Sequence, residues 1–240
     1  MNFVLDTHTH SVASGHAYST IQEMIAGAKE KNLQLLGISE HAPAMPGSCQ
    51  EIYFSNLNVF PDTIDGLRLL FGAEANVLNY QGEVDLSEKT LSRLNYGIAS
   101  LHTPCITAGS KKENTAAYLH VMENPYINII GHPDDSRYMV DYKELVKQAK
   151  ETGTLLEVNN TSLSPISFRQ NARENYKEML ALCAENQVHI IVDSDAHTSY
   201  DVGNFTYAIP LLEEVHFPEE LIANTSIDKF MQLINRKPRS

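Results

Sequence analysis

Seven short apolar runs recur along the chain, each followed by polar residues and most by a stretch with helical spacing. They are FVLD (3–6), LLGIS (35–39), LRLLFGAE (67–74), YGIAS (96–100), INIIG (127–131), TLLEVN (154–159) and HIIVDS (189–194). Runs this short, continuous and aliphatic predict parallel strands buried on both faces. Between them, TIQEMIAGAKEK (20–31) sets Ile21, Met24, Ile25 and Ala28 on one face of a helix. DYKELVKQAKE (141–151) predicts a second helix with Asp141 as its N-cap, and 171–186 and 205–215 suit two more. Lys111 and Lys112 precede a further helix, for which Asn114 is the candidate cap, and both lysines are expected on a solvated face. The stretch 42–62 contains proline and glycine and predicts a long loop near the site. No repeat, low-complexity tract or linker breaks the pattern, so one domain over residues 1–240 is expected.

Strands alternating with helices argue for a parallel α/β fold, and both a doubly wound sheet and a barrel satisfy that pattern. Polar residues choose between them. After FVLD come His8, His10 and His16; after LLGIS come Glu40 and His41; LRLLFGAE ends in Glu74. YGIAS is followed by His102, INIIG by His132, and HIIVDS by Asp195 and His197. A barrel brings all C-terminal strand ends to one mouth, whereas a doubly wound sheet concentrates its site at one crevice. Contributions from so many strands favour a barrel, and seven strands rather than eight make it an irregular one.

Composition narrows the function. The 240 residues are 42% apolar, enough for one substantial core, and carry a net charge of −12. Only GSKK (109–112) and RKPR (236–239) are locally basic, which argues against a stable nucleic-acid partner. No apolar run is long enough to span a membrane. The start, MNFVLDTHTH, lacks the pattern of a signal peptide, so a cytoplasmic location is expected. Cys49, Cys105 and Cys183 are scattered and suggest neither a disulfide framework nor a thiolate metal site.

Residues two apart in an extended chain point the same way, so His8 and His10 can serve one ion, as can Asp195 and His197. His8, His10, His16, His41, Glu74, His102, His132, Asp195 and His197 are too many ligands for one ion at three or four per ion. They suit two or three divalent ions with a bridging carboxylate, for which Glu74 is the candidate. Imidazole and carboxylate without thiolate leave zinc, manganese and iron open. A lone histidine at a strand end is usually just hydrogen-bonded or solvated; seven of the ten at such ends are hard to explain separately. His120, His189 and His216 fall elsewhere and read as structural, and Glu40 reads either as a ligand or as a supporting neighbour of His41.

DTHTHS, SEH, GAE, SLH, GHPD and SDAHT occur in an order that resembles the PHP (polymerase and histidinol phosphatase) superfamily, most closely the YcdX-like bacterial phosphatases. The resemblance implies a distorted (β/α)7 TIM-like barrel with a trinuclear metal centre. It assigns His8, His10 and Asp195 to one ion, bridged by Glu74 to a second held by His102 and His132. His16, His41 and His197 hold the third. Glu74, Asp195 and His197 act as metal-centre residues without a protein nucleophile, and zinc is the first expectation. Arg169 stands where relatives carry a basic residue near the substrate, although Asn171 replaces a frequent glycine. The activity implied is hydrolysis of small phosphomonoesters by a metal-bridging hydroxide, within a homo-oligomer. Two alternatives use the same ligands: a histidinol-phosphate phosphatase, or a phosphodiesterase or exonuclease. A non-catalytic metal-binding regulatory protein is the alternative of another class.

Overall fold

The computed structural model describes residues 1–235, so the basic RKPR at 236–239 lies outside the described residues. In chain order the elements are β1 (Leu5–Asp6), α1 (Ile21–Glu30), β2 (Leu35–Ile38), α2 (Glu51–Ser55), β3 (Thr63–Ile64), β4 (Leu67–Asn76), α3 (Glu88–Leu91) and β5 (Tyr96–Ser100). They continue with α4 (Lys111–Val121), β6 (Ile129–Ile130), α5 (Tyr142–Thr152), β7 (Leu155–Asn159), α6 (Ala172–Asn186), β8 (Ile190–Asp193), α7 (Ala208–Glu214) and α8 (Ile227–Ile234). Seven strands pair in parallel in the order β1-β2-β4-β5-β6-β7-β8, and β3 is a short antiparallel partner of β4. This is the distorted (β/α)7 barrel that the resemblance implied, and the strand-end residues had favoured an irregular barrel.

The ring is nearly closed. β1 and β8 meet through a single parallel bridge, Thr9 to Ala196, just beyond their ends. Below it the seam is bridged by side chains. Asn224 donates to the carbonyls of Leu5 (3.1 Å) and Val192 (2.6 Å) and accepts from Val192 N–H (2.7 Å). The Asp193 carboxylate accepts from Thr7 N–H at 2.6 Å. Buried backbone groups at an open seam need such partners.

Inside the barrel an apolar layer is built from Leu5, Leu35, Leu70, Tyr96, Ile98, Ile129, Leu155 and Ile191. Phe230 and Ile234 of α8 plug its lower end. A second, larger cluster fills the space between the strands and the outer helices. Side chains alternate along a strand. In phase with Leu70, therefore, comes Glu74; with Leu155, Glu157; and with Ile191, Asp193. The same geometry that makes the floor apolar aims these acids at the interior above it. Tyr96 lies across this floor because Gly72 has no side chain: a Cβ there would sit 2.6 Å from the ring. The Tyr96 hydroxyl donates to Thr7 O at 2.5 Å.

α1 starts at a capping box formed by Thr20 and Glu23 and packs close to the β8 loop. A Cβ on Gly27 would lie 2.3 Å from the Ser199 carbonyl oxygen. Gly27→Ala is therefore expected to destabilise by about 1–3 kcal/mol through overpacking, against a helix-propensity gain of only ~1 kcal/mol. Thermal melts check this, and a rise in melting temperature would show that the two backbones separate freely.

Several expectations are corrected. β4 runs two residues past Glu74, so Glu74 lies within the strand rather than at its tip. The cap of α4 is Ser110, paired with Glu113, so Lys111 and Lys112 open the helix. Asn114 lies inside it and bonds back to Gly109 and to Met139 O. The 42–62 stretch is not all loop, since it contains α2 and one turn of 3-10 helix at Leu57–Val59. Asp141 caps α5 as expected. Asn171 takes a left-handed conformation (φ 58°), so the position that favours glycine is filled by the side chain that tolerates it next best. Among the described residues no helix is long and apolar enough to cross a membrane.

Candidate metal centre

All nine sequence-predicted ligands converge above the apolar floor, at the C-terminal mouth. Glu74 is the hub. Its Oε1 lies 3.3 Å from His8 Nε2, 3.2 Å from His102 Nε2 and 2.9 Å from His132 Nε2. Its Oε2 lies 3.5 Å from His10 Nε2 and 2.6 Å from His41 Nδ1. Asp195 faces it, with Oδ1 at 3.7 Å from His8, 3.4 Å from His10 and 3.5 Å from His197. His16 approaches His41 at 3.2 Å between their Nε2 atoms.

Four sets of three donors lie within 4.8 Å of one another: His8–His10–Glu74, His8–His132–Asp195, His41–Glu74–His102 and His10–His41–His197. Each could hold an ion. These sets share His8, His10, His41 and Glu74, so neighbouring ions would lie close together. His16 belongs to none of them and borders His41 and His197. No cysteine enters any of them, which leaves a nitrogen and oxygen donor set suited to zinc, manganese or iron.

The hydrogen bonds behind the imidazoles orient them. Glu157 Oε1 lies 2.6 Å from His8 Nδ1. Ser14 Oγ accepts from His10 Nδ1 at 3.0 Å and from His41 N–H at 2.9 Å, and donates to Glu40 at 2.6 Å. Asn76 Oδ1 takes the His102 Nδ1 proton at 2.7 Å, and the Asp195 carbonyl takes that of His197 at 2.9 Å. For His10 and His102 the proton on Nδ1 leaves Nε2 with a lone pair facing Glu74. Glu40 accepts from Ser11, Ser14 and Tyr53, so of its two readings the structure favours the supporting one.

A decisive observation is what these atoms lack. His8 Nε2, His10 Nε2, His41 Nδ1 and Glu74 Oε2 are buried without a hydrogen-bond partner. Such orphans are rare and each costs about 1–3 kcal/mol. Four of them converging on one point fit a cation.

Electrostatics agrees. Burial alone would raise the Glu74 carboxyl, but His102, His8 and His41 hold it well below the usual range. Asp195 is likewise held low by His8, His10 and His197 against its burial. Burial, reinforced by His41 and His197, keeps His10 well below the ordinary histidine value and pushes His16 down to about 4. His8 is the exception: burial opposes the proton, but Glu157, Glu74 and Asp195 together hold it well above the usual value. His8 must therefore lose a proton to ligate.

Beside the cluster opens a cavity of about 440 Å³. His16, His41, His102, His132, Asp195 and His197 form its base, with Arg169, Arg137, Thr161 and Asp135 beside them. Met45, Leu101, Pro104 and Phe168 supply an apolar wall. Arg169 is not a solvated surface residue: its side chain is only 8% exposed. Its guanidinium bonds Asp195 Oδ2 at 3.2 Å, Asn159 Oδ1 at 3.2 Å and Ser162 Oγ at 2.9 Å. Despite the burial, Asp195 and Asp134 hold it firmly protonated. Lys111 and Lys112 do not line the cavity, and Lys111 pairs at the surface with Asp141 at 3.8 Å. His120 bonds Tyr80 O on the outer layer, away from the cluster.

The PHP domain model matches residues 6–194. The chain belongs to the PHP domain family. Within this family it is 43% identical over 237 residues to a probable phosphatase of Acetivibrio thermocellus, covering 99% of this chain and 97% of that one. It is 44% identical over 237 residues to a probable phosphatase of Clostridium novyi, covering 99% and 96%. Among solved structures, the PHP fold is matched by histidinol phosphate phosphatase from Lactococcus lactis, complexed with zinc, L-histidinol and phosphate. That match has a TM-score of 0.62 at 17% identity and covers 89% of this chain and 94% of that one, which shows the shared fold.

Sequence reading missed Glu157, Ser14 and Asn76, which orient three ligands. A signal existed for Glu157 alone: a charged residue inside the aliphatic run TLLEVN has no place in a buried strand unless it is bonded.

Proposed function

We propose that this PHP protein is a metal-dependent phosphoesterase that hydrolyses small phosphomonoesters. Its ions would be held by His8, His10, His16, His41, Glu74, His102, His132, Asp195 and His197. The observation that carries this reading is the set of four orphaned buried donor atoms converging beside an arginine-lined cavity. The names of the 43–44% identical relatives support the reaction class. When bound, divalent ions supply an activated water and neutralise charge on the phosphoryl oxygens.

The chain's own residues would do the rest. Glu74 and Asp195, kept ionised, hold the positive charges close together. Asp195, Asn159 and Ser162 fix the Arg169 guanidinium, using three of its five N–H donors. The remaining two are available to a phosphoryl oxygen, in the planar fork that suits this group. The apolar wall of Met45, Leu101, Pro104 and Phe168 takes the leaving group and limits water. A cavity of about 440 Å³ suits a small substrate. An anionic substrate would be drawn into a protein of net charge −12 by the ions' local field.

Assaying a panel of phosphomonoesters, phosphodiesters and amides tests the proposal. Turnover confined to phosphomonoesters is the expected result. Preference for diesters would transfer the site to a nuclease-type reaction. No turnover across the panel at full metal content would favour the regulatory alternative.

A further inference from the structure

Glu157 stands outside the ligand set, yet it is fully buried in β7. Its Oε1 lies 2.6 Å from His8 Nδ1. Its Oε2 accepts from His132 N–H at 2.5 Å and from Asn159 Nδ2 at 3.3 Å. Three donors meet one carboxylate, which has only acceptors to offer. His8 follows β1 and His132 follows β6, so Glu157 ties together ligands that arrive from different strands. At their far ends both rings converge again: His8 Nε2 and His132 Nε2 lie 3.3 Å and 2.9 Å from the same oxygen, Glu74 Oε1. His132 is also held at φ 29°, a left-handed backbone that a histidine rarely adopts and that outside contacts must sustain.

We propose that Glu157 is the positioning residue of this centre, fixing the His8 ring tautomer and the His132 backbone together so that both Nε2 atoms face Glu74. This rests on the metal-dependent reading above. A carboxylate bonded to the far nitrogen of an imidazole fixes which nitrogen keeps the lone pair. A glutamine at this position would keep the volume but have only one acceptor. If its oxygen serves His132 and Asn159, its amide N–H faces His8 Nδ1. The His8 proton then moves to Nε2, and that atom ceases to be a ligand. The Glu157→Gln change would thus disable His8 with the hydrogen-bond count preserved.

Two readouts test this on full-length protein stripped of metal. In the first, ¹⁵N NMR follows the imidazoles at a pH where His8 is neutral, with His8 assigned by its loss in H8N. Wild-type protein is expected to carry the proton on Nδ1 and E157Q on Nε2. In the second, zinc binding is followed by equilibrium dialysis. E157Q is expected to bind at least one equivalent about 10- to 100-fold more weakly. A wild-type proton on Nε2, the same tautomer in both proteins, or unchanged zinc affinity in E157Q would each overturn the proposal. If E157Q does not fold, the wild-type tautomer still decides. Wild-type protein that binds no zinc would defeat the metal-dependent reading, while the tautomer comparison would still judge Glu157.

Discussion

Replacing Glu74 by glutamine is expected to lower phosphomonoester turnover about 1,000-fold or more and to remove at least one equivalent of bound metal. Five imidazoles approach this one carboxylate within 3.5 Å, and one of its oxygens is buried without a hydrogen bond. A carboxylate in that position would serve more than one ion at once. An amide keeps the volume but loses the charge and replaces one acceptor with a donor aimed at imidazole lone pairs. Metal stabilisation of a phosphoryl transition state is worth several kcal/mol, and ~4 kcal/mol corresponds to about three powers of ten in rate. Metal analysis and steady-state kinetics on the same preparation check this. Full metal content with turnover within threefold of wild type would show that Glu74 is no bridge.

The second large effect concerns Arg169. Arg169→Ala is expected to destabilise the metal-free protein by about 3–5 kcal/mol, because it leaves Asp195 buried without its guanidinium partner. For a chain of this size that corresponds to a fall in melting temperature of roughly 6–20 °C. Adding zinc or manganese should recover much of the loss, since an ion beside Asp195 replaces the missing positive charge. It should not recover catalysis: the loaded variant is expected to show a raised KM for phosphomonoesters, consistent with a lost charge-assisted hydrogen bond of about 1.5–3 kcal/mol. Melts with and without metal, paired with KM and kcat, separate the two roles. A variant that melts like wild type without metal would show that the Arg169–Asp195 pair contributes nothing. An unchanged KM would remove Arg169 from the substrate site.

The barrel and the clustering of the candidate ligands were legible in the sequence for the same reason. Strands buried on both faces are continuous aliphatic runs, and a histidine or acid just after such a run can only sit at the barrel mouth. That rule found His8, His10, His102, His132, Asp195 and His197 without any contact being known. It located Glu74 by type but misjudged its place, because β4 continues through Asn76. What lies behind the ligands was less legible. Ser14 and Asn76 are ordinary residue types whose roles arise only when distant segments meet. α8 was also missed: its burial depends on the open lower end of the barrel, which Phe230 and Ile234 fill. At α4, Asn114 looked like a cap because asparagine favours caps in general, while Ser110 with Glu113 forms the actual box. Arg169 was placed by the resemblance alone, since nothing local in the sequence announces its partner Asp195, 26 positions away.

On the proposed reading, the converging histidines and carboxylates hold catalytic metal. The most direct test is elemental analysis of protein purified without added metal, with phosphomonoester turnover measured on the same sample before and after chelation. Two to three equivalents of a divalent ion are predicted, with turnover that is lost on chelation and restored by zinc or manganese. One equivalent or none, with turnover indifferent to chelation, would contradict the account.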